Sequence, residues 1–244
     1  INLPMWSDLG GEDMVLPAAG NIEVGSITAG NELAPVLVRA KAWGAHELAG
    51  AMAGDDPMAA ILDRYTDWWV RREQKILLSI LAGLFDKTSG VLRGNVSDIS
   101  ANTGDAAKIS AAAVLDAKQI LGDGAAAITA IAMHSATYTK LQKDNLVEYI
   151  PNSEGVVDMP RYLGYQVIVD DGLPVSSGKY TTYLVGKGAF ARGEGVPPTL
   201  TPVEIARNAA ASENVLFTRR ALVIHPRGIK WVEPSAYTNE DDPT

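Results

Sequence analysis

Residues 55–85 read DDPMAAILDRYTDWWVRREQKILLSILAGLF, and this stretch narrows the possible folds more than any other. Asp55 or Asp56 can accept the free N–H groups of a first helical turn. Pro57 suits that turn because it has no N–H to leave unsatisfied. Apolar side chains recur at Met58, Ile61, Leu62, Tyr65, Trp68, Trp69, Ile76, Leu77, Ile80, Leu81 and Leu84. Steps of three and four place them along one helical face. The spacing predicts one helix over 57–85, about 43 Å long at about 1.5 Å per residue. Helices in globular domains average roughly 11–12 residues. A rod of this length is a strut on which other elements hang.

On the N-terminal side, residues 1–20 carry Pro4, Gly10, Gly11, Pro17 and Gly20 and read as an irregular arm. Trp6 and Leu9 are its expected anchors onto a neighbour or the core. Residues 21–48 read as a β-hairpin, with strands over 21–28 and 34–43. Ala29, Gly30, Asn31 and Glu32 supply the turn chemistry. Apolar residues alternate at Ile22 and Val24, then Ile27, and again at Val36 and Val38. A lone two-stranded ribbon is marginal in water, so this one must lie on something else.

Beyond the long helix, residues 86–105 are rich in Gly, Ser, Asn, Thr and Asp and read as loop and short turns. Ser110 caps a helix over 111–121 that Gly122 ends. A buried strand follows over 125–133, then a helix from Ser135 to 143. Further strands are expected over 147–150, 161–169, 180–186, 199–207, 215–225 and 229–232. The acidic tail 239–244 is expected to fray. The class is α+β, without internal repeats. If the long helix and the last strands share a domain, the block between them is an inserted second domain.

Of the 244 residues, 47% are hydrophobic, enough to bury a substantial core. No uncharged apolar run reaches 18 residues, so no membrane-spanning helix is expected. The absence of cysteine excludes disulfides and thiolate metal sites. A start at Ile1 rather than Met is what a trimmed or processed chain gives, and no secretory signal is visible. The net charge is −8, with Arg71-Arg72, Arg219-Arg220 and Arg227 as the short basic clusters. Such a chain is not expected to bind nucleic acid tightly, since DNA binding needs clustered Lys and Arg.

Candidate chemistry is thin. His134-Ser135 falls at a strand-to-helix turn, where some hydrolases place a nucleophile, but AMHSATY lacks the glycines of G-x-S-x-G. Ser135 is better read as a helix cap. Asp170 and Asp171 are adjacent on a strand end and point to opposite faces, so they do not share an ion. GKGAFARGEG over 186–195 has neither phosphate-binding glycine spacing. His225 has no second histidine at ligand spacing. Trp68 and Trp69 sit among apolar helix neighbours and read as core and contact residues rather than a base-stacking platform. No catalytic, cofactor or metal site is expected.

Four stretches, taken in order, resemble the major capsid proteins of tailed phages, the Hong Kong 97-type fold. They are the long-helix segment 54–85, MHSATYTKLQKDNLVEYIPNSEG (133–155), RYLGYQVIVDDGLPV (161–175) with YLVGKGAFARGEG (183–195), and VLFTRRALVIHPRGIKWVEPS (215–235). The resemblance implies a partial N-terminal arm over 1–20 and an extended loop over 21–48. It implies a peripheral domain over 49–105 that includes the spine helix 57–85. It implies an axial domain over 106–210 and returning peripheral strands over 211–244. It also implies an icosahedral head of pentamers and hexamers enclosing double-stranded DNA in the virion, assembled in the bacterial cytoplasm. Expected partners are other copies of the chain, a scaffolding protein, a portal and a decoration protein, with no membrane. Candidate subunit contacts are Trp6, Ile27, Asn31, Glu32, Trp68, Trp69, Arg71, Arg72 and Glu73. An encapsulin-like nanocompartment or a gene-transfer-agent shell would use the same fold. A mixed α+β hydrolase is the alternative from another class. Some family members cross-link a loop lysine to an asparagine. Here the loop holds only Lys41, near its base, so no cross-link is expected.

Overall fold

The structure, a computed structural model, describes residues 1–15, 22, 24–151 and 157–232. In chain order its elements are β1 (Asn2–Trp6), β2 (Ala29–Leu33), β3 (Leu37–His46), α1 (Glu47–Ala53), α2 (Pro57–Leu84), α3 (Ala111–Gln119), β4 (Ile128–Met133), α4 (Ser135–Lys143), β5 (Glu148–Pro151), β6 (Val157–Tyr162), β7 (Tyr165–Val169), β8 (Val175–Ser176), β9 (Lys179–Tyr180), β10 (Tyr183–Gly186), β11 (Phe190–Gly195), β12 (Val203–Asn208) and β13 (Glu213–Pro226). Single 3-10 turns occupy Arg93–Asn95, Gly104–Ala107 and Gly122–Ala127.

The long helix α2 is the 28-residue rod its spacing predicts. Asp56 Oδ1 accepts the Met58 N–H at 2.9 Å, so the cap is the aspartate next to the proline. Trp69, Ile76 and Leu81 are its buried residues. At its end the chain folds back sharply, and the Leu92 N–H donates to the Leu84 carbonyl at 2.9 Å. Glycine is needed in that turn: a Cβ on Gly90 would stand 2.5 Å from the carbonyl oxygens of both Leu84 and Asp86.

The chain forms two compact units, one of Ile1–Leu62 with the segment from Phe190 onward, the other of Asp63–Ala189. In the first, β13 is the central strand of a four-stranded antiparallel sheet. β3 runs along one edge from Glu213 to Leu222, while β12 and then β11 share the other edge end to end. Over Glu213–Thr218 and Ala221–Leu222 it has neighbours on both edges, which satisfy its backbone groups there. Leu216, Thr218 and the run Ala221–His225 are buried. Arg207 Nε donates to Glu47 Oε1 at 3.0 Å, tying β12 to α1. A separate two-stranded ribbon pairs β1 with β2, from Asn2 opposite Leu33 to Trp6 opposite Ala29.

Several expectations are corrected here. Part of the irregular arm is strand β1. The hairpin over 21–48 is not a hairpin: β2 lies where the turn was expected and pairs with β1, while β3 pairs with β13. Ten ladder positions on a long central strand outweigh a ribbon with no core of its own. Residues 21 and 23 of that stretch lie outside the described residues. No strand forms over 229–232, where the Trp231 N–H makes a single 3.1 Å bond to the Leu33 carbonyl. β11 and β12 fall within the block 106–210, yet both pair with β13. The tail 239–244 lies outside the described residues.

The second unit is built on a five-stranded sheet in the order β10-β4-β7-β6-β5, with β4 and β7 parallel and the other pairs antiparallel. The parallel pair requires a crossover, and α4 with β5 and β6 fills it. Ile128, Ile131, Met133, Tyr162, Tyr165 and Val167 of the sheet cluster with Val114 of α3 and Leu141 of α4. The expected strand 161–169 is interrupted at Leu163-Gly164, both at positive φ (51° and 82°). This two-residue turn matches the twist of antiparallel strands and makes β6 and β7 a tight hairpin. Ser110 caps α3 as expected, its Oγ accepting from Ala113 N at 3.2 Å. On α4 the cap is His134, not Ser135: the imidazole Nδ1 accepts from Ala136 N at 3.1 Å.

Candidate assembly surfaces

The nine expected contact residues divide by burial. Around the β1–β2 ribbon, Trp6 is 64% and Ile27 48% exposed, and Asn31, opposite Pro4, is also exposed. Ribbon pairing continues past Trp6, with the Ser7 N–H donating to the Thr28 carbonyl at 2.9 Å. Leu9, Val15, Ile22, Val24, Val36 and Val38 add further exposed apolar side chains to the same N-terminal segment. Where exposed apolar side chains gather into one patch, they mark a surface that binds something.

Glu32 does not belong to that surface. It is 7% exposed, its Oε1 accepts from Gly228 N at 2.7 Å, and its Oε2 lies 3.7 Å from His225 Nε2. This carboxylate fastens the ribbon to the end of β13 within one unit. No local sequence signal could have revealed the pairing, because the partners are separated by almost the whole chain.

On α2, Arg71 and Arg72 are exposed, Trp68 and Glu73 are half-buried, and Trp69 is 2% exposed. The two indoles meet edge to face, with centroids 5.0 Å apart and planes at 84°. That geometry favours an aromatic pair, and it makes Trp69 a core residue rather than a contact.

The geometry around His134 and Ser135 does not fit a serine-nucleophile site. Ser135 Oγ lies 3.5 Å and Asp171 Oδ1 3.6 Å from the same imidazole nitrogen, His134 Nδ1. A serine nucleophile and its orienting acid must use opposite ring nitrogens. That Nδ1 already accepts the Ala136 N–H. Hydrogen bonding from Ser135 holds the Asp171 carboxyl below the usual carboxylate range, which keeps it an ionised acceptor for the helix start. Asp170 instead accepts from Gly172 N and Gln74 Nε2. The glycine-rich stretch 186–195 is a turn followed by β11, with Gly193 and Gly195 opposite Val223 and Ala221.

The family described as Gp13-like, Major capsid protein 13-like, matches residues 77–191. The major capsid protein of Bacillus phage SPP1 is 39% identical over 238 residues, covering 96% of this chain and 72% of that protein. The fold is shared with the capsid of Ralstonia phage GP4 at a TM-score of 0.66 and 10% identity, covering 93% of this chain and 78% of that one. It is shared also with the capsid of an empty GTA particle at 0.52 and 16%, covering 91% and 80%. Such identities show a common fold alone, and the SPP1 relative favours the phage reading over the gene-transfer-agent one. The chain belongs to the major capsid proteins of tailed phages, whose copies associate into capsomers and form the icosahedral shell of the virion.

Proposed function

We propose that the N-terminal ribbon and its flanks, residues 1–15 and 24–38, dock on a neighbouring subunit when pentamers and hexamers form. The observation that carries this is the apolar exposure of Trp6, Leu9, Val24 and Ile27 on a ribbon with no core of its own. In the same reading α2 is the spine of the peripheral domain, to which the first unit also belongs, and the second unit from residue 106 onward is the axial domain. The shell encloses double-stranded DNA, assembles in the bacterial cytoplasm with a scaffolding protein, a portal and a decoration protein, and catalyses no reaction. Many weak contacts suffice, because each subunit touches several neighbours and closure multiplies them. Lys41 lies in β3 opposite Thr218, in the sheet rather than at the ribbon tip, which favours a shell without lysine cross-links.

The test is a triple substitution, Trp6→Ser with Leu9→Ser and Ile27→Ser. Folding should be retained, because all three side chains face solvent in the subunit, while closed shells should no longer form. Normal shells from this variant would refute the docking role. A deletion is a poorer probe unless it stops before Leu37, since β3 belongs to the central sheet.

A further inference from the structure

Helix α2 carries a basic stripe that the ribbon-docking account does not use. Arg64, Arg71, Arg72 and Lys75 are all exposed. At 3.6 residues per turn they fall within an arc of about 100° and span about 16 Å of helix. None of the four has an ion-pair partner among the described residues. Elsewhere in the same unit Lys87, Lys108 and Lys140 are taken up by Asp98, Asp105 and Asp144. A chain of net charge −8 thus concentrates four cations on one helix face.

The composition of the face indicates its partner. A protein–protein interface has a dry apolar centre, in which arginine is the one cation enriched and only alongside aromatic and apolar side chains. Within this arc the one aromatic, Trp68, is half-buried, and the exposed apolar residues of the helix, Leu62 and Val70, lie outside it. Asp63 and Asp67 border the stripe on one side. Cations spread along a rod, without a pocket or a stacking platform, suit a ligand that is a line of negative charge read without regard to sequence.

We infer that the α2 stripe Arg64–Arg71–Arg72–Lys75 is a sequence-independent contact for the phosphate backbone of the enclosed double-stranded DNA. This rests on the reading of the chain as a DNA-enclosing shell. Four cations per subunit give a weak, salt-sensitive contact, repeated over the shell, which restrains packaged DNA without immobilising it.

The test measures binding of the unassembled whole protein to a mixed-sequence 30-base-pair duplex by fluorescence anisotropy across a salt series. Each neutralised phosphate adds about 0.9 to the slope of log affinity against log salt. Arg71→Gln with Arg72→Gln should therefore make the slope shallower by about 1.8. Arg71→Lys with Arg72→Lys should preserve it, and Lys108→Gln with Lys140→Gln should leave it unchanged. An unaltered slope in the double Gln variant would overturn the inference, as would absence of wild-type binding or loss of slope in the Lys variant. Stripe-dependent binding of poly-glutamate equal to that of the duplex would also overturn it and make an acidic polypeptide the partner. Electron microscopy of the same variants reads shell formation separately. Failure of the wild type to close indicts the shell reading, whereas closed shells with an unaltered slope indict the stripe.

Discussion

Oε2 of Glu32 lies 3.7 Å from Nε2 of His225, and both side chains are buried. Among the described residues no hydrogen bond reaches that imidazole nitrogen, while the other Glu32 oxygen accepts the Gly228 N–H. The contact fastens β2 to the end of β13. Glu32→Ala would leave the Gly228 donor without its acceptor, at a cost of about 1–3 kcal/mol. Glu32→Gln keeps an acceptor there and should cost less. Denaturant unfolding orders the two variants. Hydrogen exchange at Trp231, whose amide bonds to Leu33, should quicken in the alanine variant first. Equal stabilities for both variants would contradict this assignment.

The cap of α4 separates a structural from a catalytic reading of the His134-Ser135 pair. His134→Ala removes the acceptor of the Ala136 N–H and should cost about 0.5–2 kcal/mol, the range for a lost N-cap. Ser135→Ala leaves that cap in place and should cost less. Thermal melts test the ordering. A hydrolytic activity abolished by Ser135→Ala, with folding and assembly intact, would refute the structural reading.

Alkaline stability follows from three tyrosines of the second unit. Burial pushes the Tyr162 and Tyr183 hydroxyls up from their ordinary value of 10.0. Burial, followed by the hydrogen bond with Tyr149, pushes Tyr138 up to about 12. A raised folded-state value means the folded chain holds these protons more tightly than the unfolded chain. Their stabilisation is complete below pH 10 and is lost as pH rises through the folded values. Titration of phenolate absorbance should show a late group of tyrosines that ionises together with loss of structure between about pH 10 and 12. Ionisation of every tyrosine in a single early step, with the fold intact, would contradict it.

What could be read from sequence was local, and what could not was pairing between distant segments. The three-four spacing, the aspartates and Pro57 specify α2 to within one residue of its end, because periodicity and capping act within a turn or two. Ser110 announced α3 for the same reason. Glycine and asparagine at Gly30 and Asn31 read as a turn, yet they take part in a strand once β1 offers a partner. The preference of β3 for β13 depends on ten ladder pairs whose partners lie far apart, from Glu213 opposite His46 to Leu222 opposite Leu37, which no window of sequence contains. The same distance hid Glu32, which looked like a turn residue and is a buried anchor. Trp69 looked like a contact because periodicity marks an apolar face without saying whether its own chain or a neighbour covers it.

The most direct measurement is cryo-electron microscopy of particles formed by the protein. The account predicts closed icosahedral shells in which Trp6, Leu9 and Ile27 of each subunit are covered by a neighbouring copy, while Glu32 remains bound within its own subunit. A protein that stays monomeric under all assembly conditions, or shells in which the ribbon remains bare to solvent, would contradict it.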